Sequence, residues 1–249
     1  MRLVRREAKL AAVLCGLSLL MGGTTGWSGE STGTDGGRAT AVPSAEAPDT
    51  PAPRQRIVLL GTSLTAGLGL DPDRAYPALL QRKVDSAGFP LTIVNAGLSG
   101  ETSAGALRRA GWVLEQPAAA VVLEVGANDG LRGVDPDSTR ANIVALIKAI
   151  RRQQPKARVL LVQMEAPTNL GRAYTTRFHA VYAQAARETG VPVLPFLLDG
   201  VAGVARLNQA DGIHPNIEGS KRVADTMWKA LLPVLRDIVN APATSRGRP

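Results

Sequence analysis

The sequence predicts an α/β domain built on a parallel sheet with helices on both faces. Two patterns and one size argument lead there. Short, continuous apolar runs alternate with helix-period segments from residue 57 to residue 238, as expected when every strand is buried on both sides. The stretches just after the first three runs carry Gly, Ser and Asn, and in an open parallel sheet ligands bind beyond those carboxyl ends. With 249 residues, 45% of them hydrophobic, the chain is long enough for one such domain with a sizeable core.

Taken in order, the strand candidates are residues 57–60, 91–95, 119–125, 159–164 and 191–195. The first is Ile57-Val58-Leu59-Leu60, an unbroken apolar run stopped by Gly61. Between the strands lie helical stretches at 76–87, 102–115, 138–153 and 175–189. A last helix follows Pro215, with Val223, Met227, Leu231, Leu235 and Ile238 on one face. No fixed-period repeat appears.

The folded domain is expected over residues 55–240. Before it, residues 1–26 read as an export signal: a basic start, an apolar run from Leu10 to Met21, then small residues. That run is too short to span a bilayer, although a leader that is not removed would act as an anchor. Residues 27–54, rich in Gly, Ser, Thr, Ala and Pro, read as a disordered linker, and 241–249 as a flexible tail. The expected location is periplasmic or secreted, with membrane association only through a retained leader.

Net charge is +8, but Arg2, Arg5, Arg6 and Lys9 against Glu7 account for three of it, leaving +5. No basic stripe interleaves with aromatics, so a nucleic-acid partner is not expected. The only cysteine, Cys15, lies in the leader behind Leu14, which does not suit a lipidation site. One cysteine and two histidines rule out a Cys/His zinc site, and no metal or cofactor is expected.

Ser63 sits in the turn after the first strand, where a nucleophile would be placed; it would equally cap a following turn. A nucleophilic serine needs a base. His179 lies inside a helical stretch and reads as a helix-surface residue. His214, in Asp211-Gly212-Ile213-His214-Pro215, is held extended by the proline just ahead of the last helix. Asp211 can fold back across Gly212 to accept from the imidazole, as the acid of a Ser-His-Asp triad does. Gly100, after the second strand and read as opening a helix, offers a backbone N–H; Asn128, after the third, offers a side-chain amide. Both suit a developing oxyanion. Glu124, on a buried strand, reads as a hydrogen-bonded structural acid.

Gly61-Thr62-Ser63-Leu64-Thr65-Ala66-Gly67, Tyr76-Pro77-Ala78-Leu79-Leu80, Ser99-Gly100-Glu101-Thr102-Ser103, Gly126-Ala127-Asn128-Asp129-Gly130-Leu131-Arg132-Gly133 and Asp211-Gly212-Ile213-His214-Pro215-Asn216 together resemble the SGNH, or GDSL-type, hydrolase family. They are most similar to its exported bacterial arylesterase, lysophospholipase and acyl-thioesterase branch. The resemblance covers residues 56–236. It implies a three-layer α/β/α fold with a five-stranded parallel, flavodoxin-like sheet, and ester hydrolysis through an acyl-enzyme on Ser63. It also implies a triad of Ser63, His214 and Asp211, with Ser63, Gly100 and Asn128 around the oxyanion. Thr62 stands where that family has an aspartate, and Ala127 where a second glycine is common. Two rival motifs fail on spacing. The Gly-x-Ser-x-Gly elbow would need glycine at Thr65, and a phosphate loop would need a lysine after Gly67.

Three loops, 130–134, 167–174 and 197–207, are candidates to line the substrate pocket through Leu131, Leu170, Leu198, Val201 and Val204. Apolar lining suits an acyl chain, so the expected substrate is a small-molecule ester, lipid-derived ones included, handled by a monomer. Thioesters and lysophospholipids fall within the same chemistry. Two other readings stay open here: an esterase removing acetyl groups from polysaccharide or cell wall, and a lipid- or carbohydrate-binding module without catalysis.

Overall fold

The computed structural model describes residues 54–241. The expected leader, the linker up to residue 53 and the tail beyond Ala241 lie outside the described residues. Five strands form one all-parallel sheet: β1 (Gln55–Gly61), β2 (Leu91–Gly97), β3 (Ala120–Leu123), β4 (Arg158–Val162) and β5 (Val193–Leu194), in the order β2-β1-β3-β4-β5. β1 pairs Ile57 with Ile93 on one side and with Ala120 on the other. From Ile57 to Leu60, and throughout β3, the side chains are buried. Strands covered on both faces can hold apolar residues at every position.

Among the described residues seven α-helices accompany the sheet: α1 (Ser63–Ala66), α2 (Tyr76–Ser86), α3 (Ser103–Val113), α4 (Ala127–Leu131), α5 (Pro136–Gln153), α6 (Arg172–Thr189) and α7 (Ile217–Asn240). α3 packs against α5 and α5 against α6, while α2 packs against α7. The crossover from β1 to β2 runs one way along the sheet and the later ones run the other, so right-handed connections place their helices on opposite faces. Val223, Met227, Leu231, Leu235 and Ile238 of α7 are all buried. The strand order reverses between β1 and β3, and a crevice opens at such a reversal.

Several element ends differ from the sequence expectation, each for a local reason. β3 stops at Leu123, and Gly126, at φ 99°, turns the chain into α4. β5 is two residues long because prolines at 192 and 195 supply no ladder donor on either side. α5 starts at Pro136, two residues early: Asp135 accepts from Ser138 N–H, and proline suits the first turn. α6 starts at Arg172, directly after Gly171 at φ 83°. The one-turn helices α1 and α4 were not anticipated, and both begin where chemistry-bearing residues sit.

Candidate active site

Ser63 is the first residue of α1, and Thr62 caps it, accepting from Leu64 N–H. As a first-turn residue its own N–H has no partner within the helix. Ser63 Oγ lies 2.8 Å from His214 Nε2. Behind the ring, His214 Nδ1 is 2.6 Å from Asp211 Oδ2. The other carboxylate oxygen accepts the backbone N–H groups of Ile213 and His214 at 2.9 and 3.0 Å. Gly212, at φ 71°, makes this fold-back possible. The His214 N–H, then its imidazole, then the Ile213 N–H hold the Asp211 carboxyl down at about 2. An ionised Asp211 keeps the proton on Nδ1 and leaves Nε2 free to accept from the serine. The histidine loop is itself tied down: Gln209 N–H donates to His214 O, and Pro215 bridges Asn208.

Gly100, Asn128 and Ser63 line one cleft. Gly100 stands in a turn at φ 77°, three residues ahead of α3, and does not open a helix. A left-handed turn needs glycine there, and its carbonyl accepts from Arg132 at 2.9 Å. Asn128 is 9% exposed, and its amide gives one hydrogen to Glu101 O at 3.0 Å, which leaves the second for a ligand. The loop between them is braced from below. Asp129 accepts from Ser103 N–H and Oγ–H, and Arg109 pairs with Glu101 while donating to the Gly61 and Ala96 carbonyls.

Thr62 donates to Glu124 through both its N–H (2.7 Å) and its hydroxyl (2.9 Å), and Thr65 adds a third donor at 2.9 Å. Burial is the largest influence on the Glu124 carboxyl; against these donors it pushes it up to about 7.

The cleft has a volume of about 240 Å³ and is lined by Leu64, Leu68, Ala127, Leu131 and Ile213 beside the polar residues. A second, narrower cavity of about 10 Å³ behind Ser63 reaches Leu198 and Tyr76 and has room for about one water. Leu131 and Leu198 therefore stand where the sequence reading put them. Val201 does not: it is fully buried in the core, its segment folded into a turn. Leu170 is partly exposed beside Gly133 and lines neither cavity, nor does Val204. Leu68 and Ile213 were missed. Their signal was an apolar residue stranded among glycines or beside the histidine in an otherwise polar loop. His179 is an exposed helix residue paired with Glu165, away from the cleft.

Comparison with known proteins adds to this geometry. Residues 59–222 match the GDSL-like Lipase/Acylhydrolase family. The chain is 39% identical over 182 residues to Esterase TesA of Pseudomonas aeruginosa, spanning 73% of this chain and 90% of that protein. It is 38% identical over 180 residues to Thioesterase 1/protease 1/lysophospholipase L1 of Escherichia coli K12, spanning 72% and 84%. Among solved structures, the psychrotrophic esterase EstA from Pseudoalteromonas sp., inhibited by monoethylphosphonate, is similar at a TM-score of 0.70 and 34% identity. That match covers 73% of this chain and 99% of EstA.

Proposed function

The chain belongs to the GDSL-like Lipase/Acylhydrolase family, and from that membership we propose a serine esterase that cleaves small acyl and aryl esters through an acyl-enzyme on Ser63. The 2.8 Å approach of Ser63 Oγ to His214 Nε2, with Asp211 fixed behind the ring, carries this reading. Ser63 Oγ attacks the ester carbonyl as its proton passes to His214 Nε2. The carbonyl oxygen becomes an oxyanion, held by the N–H groups of Ser63 and Gly100 and the free hydrogen of the Asn128 amide. Collapse breaks the bond to the alcohol, which leaves with the proton from His214. Water then attacks the acyl-serine, gives its proton to Nε2, and the carboxylic acid departs as Ser63 is reprotonated. The leader pattern supports placing this reaction outside the cytoplasm.

A fluorophosphonate probe tests the assignment: peptide mapping should find the adduct on Ser63. His214→Ala should cut kcat by about 10⁴-fold or more, while His179→Ala stays within a few-fold. An adduct elsewhere, or the two histidines exchanging roles, would end this reading.

Leu68, Leu131 and Ile213 around the cleft favour an acyl chain over a sugar. Each extra methylene buried is worth about 0.8 kcal/mol, roughly fourfold in kcat/KM. Rates on p-nitrophenyl esters should climb from acetate to a longer chain before they fall. Thioesters and lysophospholipids come within the same proposal, since two relatives carry those activities in their names.

A further inference from the structure

Glu124 is 1% exposed and sits beneath the nucleophile, and the mechanism above makes no use of it. Its hydrogen bonds come from one short segment. Oε2 receives the Thr62 N–H at 2.7 Å and the Thr65 hydroxyl at 2.9 Å; Oε1 receives the Thr62 hydroxyl at 2.9 Å. Thr62 and Thr65 flank Ser63, one residue before it and two after. A carboxylate with two acceptor oxygens is one of few groups that can hold three donors from so tight a turn.

The surroundings are shaped for that contact. Gly61 has an ordinary φ, so it is not there for conformational freedom. A Cβ on it would collide with Thr65 Oγ1 and lie 2.6 Å from Glu124 Oε2. The proton arrangement also has a direction. Thr65 Oγ1 is 2.8 Å from Tyr76 Oη, so Tyr76 donates to Thr65 and Thr65 donates to the carboxylate. With Glu124 ionised, each donor has an acceptor. A proton on Glu124 would need a hydroxyl oxygen to accept it, which displaces one of the donors that fix the turn.

We propose that Glu124 is a positioning residue of the esterase reaction: its carboxylate grips the turn on both sides of Ser63 and fixes the serine against His214. Glu124 works best as the carboxylate, the form in which every donor keeps its acceptor. The groups facing it are the phenols of Tyr76 on α2 and Tyr182 on α6, the latter donating to Val125 O. Arg109 on α3 is paired with Glu101 and donates to the Gly61 and Ala96 carbonyls, not to Glu124. No cation bonds the carboxylate among the described residues, and burial raises its affinity for a proton, so its ionisation falls within the working pH range.

This inference rests on the esterase reading, and the test separates the two. The full chain and its Glu124→Gln, Glu124→Ala and Ser63→Ala variants are assayed on p-nitrophenyl butyrate from pH 5 to 9, with Tm followed alongside. Glu124→Ala should lose about 30-fold or more in kcat at pH 8 with KM within about threefold, as a misplaced nucleophile predicts. Glu124→Gln keeps an acceptor oxygen and should recover to within about tenfold of the parent. The acid limb of kcat/KM should fall with one proton more in the parent than in Glu124→Gln, the extra one being on Glu124. If Glu124→Ala does not fold, the Glu124→Gln limb decides. Identical acid limbs in the parent and Glu124→Gln would overturn this proposal alone. Full activity in Ser63→Ala would overturn the esterase reading and this inference together.

Discussion

Ser63 stands between two carboxylates that differ in almost everything but chemistry. Asp211 is on the solvent side, 45% exposed, and takes two backbone N–H groups and an imidazole; its carboxyl is driven down to about 2. Glu124 is on the core side and takes three donors of its own, yet its carboxyl is driven up to about 7. The number of hydrogen bonds does not set the direction. What differs is water: Asp211 keeps much of its hydration, so every donor is a gain, whereas Glu124 has lost all of it and its donors only partly offset that loss. One acid fixes the base at every working pH. The other fixes the nucleophile conditionally.

The comparison breaks first at Asp211. Asp211→Asn keeps the shape but removes the charge that selects the His214 tautomer, so kcat should drop on the order of 10³–10⁴-fold. Steady-state rates on a soluble ester check this, and a loss under tenfold would make the two acids equivalent bystanders.

Stability is the second point of attack. A folded-state carboxyl raised from its ordinary 4.5 to about 7 binds its proton more tightly in the fold than in the unfolded chain. Its contribution to stability is therefore present below about pH 4.5 and is lost as pH rises towards 7. At full burial that loss is up to about 3 kcal/mol. Glu124→Gln has no such ionisation, so its Tm relative to the parent should improve steadily from pH 5 to pH 8. A difference in Tm that is flat with pH would contradict the buried-acid assignment. Asp211 behaves oppositely: its held-down carboxyl supports the fold above its ordinary value and lets go only as pH falls towards 2.

The smallest effect sharpens the comparison. Thr62→Val removes the hydroxyl contact to Glu124 but keeps the backbone N–H contact. Loss of one such bond, about 1.4 kcal/mol, should lower kcat about tenfold with little change in KM. Unchanged kinetics would mean that the Thr62 N–H and the Thr65 hydroxyl hold the turn without it.

Much of this was legible in the sequence because glycine, serine, asparagine and proline punctuate strand ends. Gly61 after an apolar run and Pro215 after His214 marked where chain direction changes, and Ser63, Gly100, Asn128 and His214 all lie at such marks. Asp211 was legible because a three-residue fold-back over Gly212 is local. Thr62 was read as a hydroxyl in the place of a family aspartate. The acid it addresses is 62 residues away, just past the end of the adjacent strand β3, a relation fixed by strand order that no local pattern encodes. Pocket lining failed for the same reason. Val201 and Leu198 share one turn, but whether each faces the cavity or the core depends on α7 and the strands beneath. The one-turn helices α1 and α4 were too short to leave a period.

The serine and its histidine are 151 residues apart in the chain, joined only once the first strand and the loop before the last helix have met. Such long-range closure is among the slowest events in folding. A chain in which the first strand and the loop before the last helix have not yet met therefore lacks the pairing that activates the serine. Hydrolysis becomes a reporter of finished assembly. In a refolding trace, activity should return only when α7 docks, after most of the helical signal has already recovered.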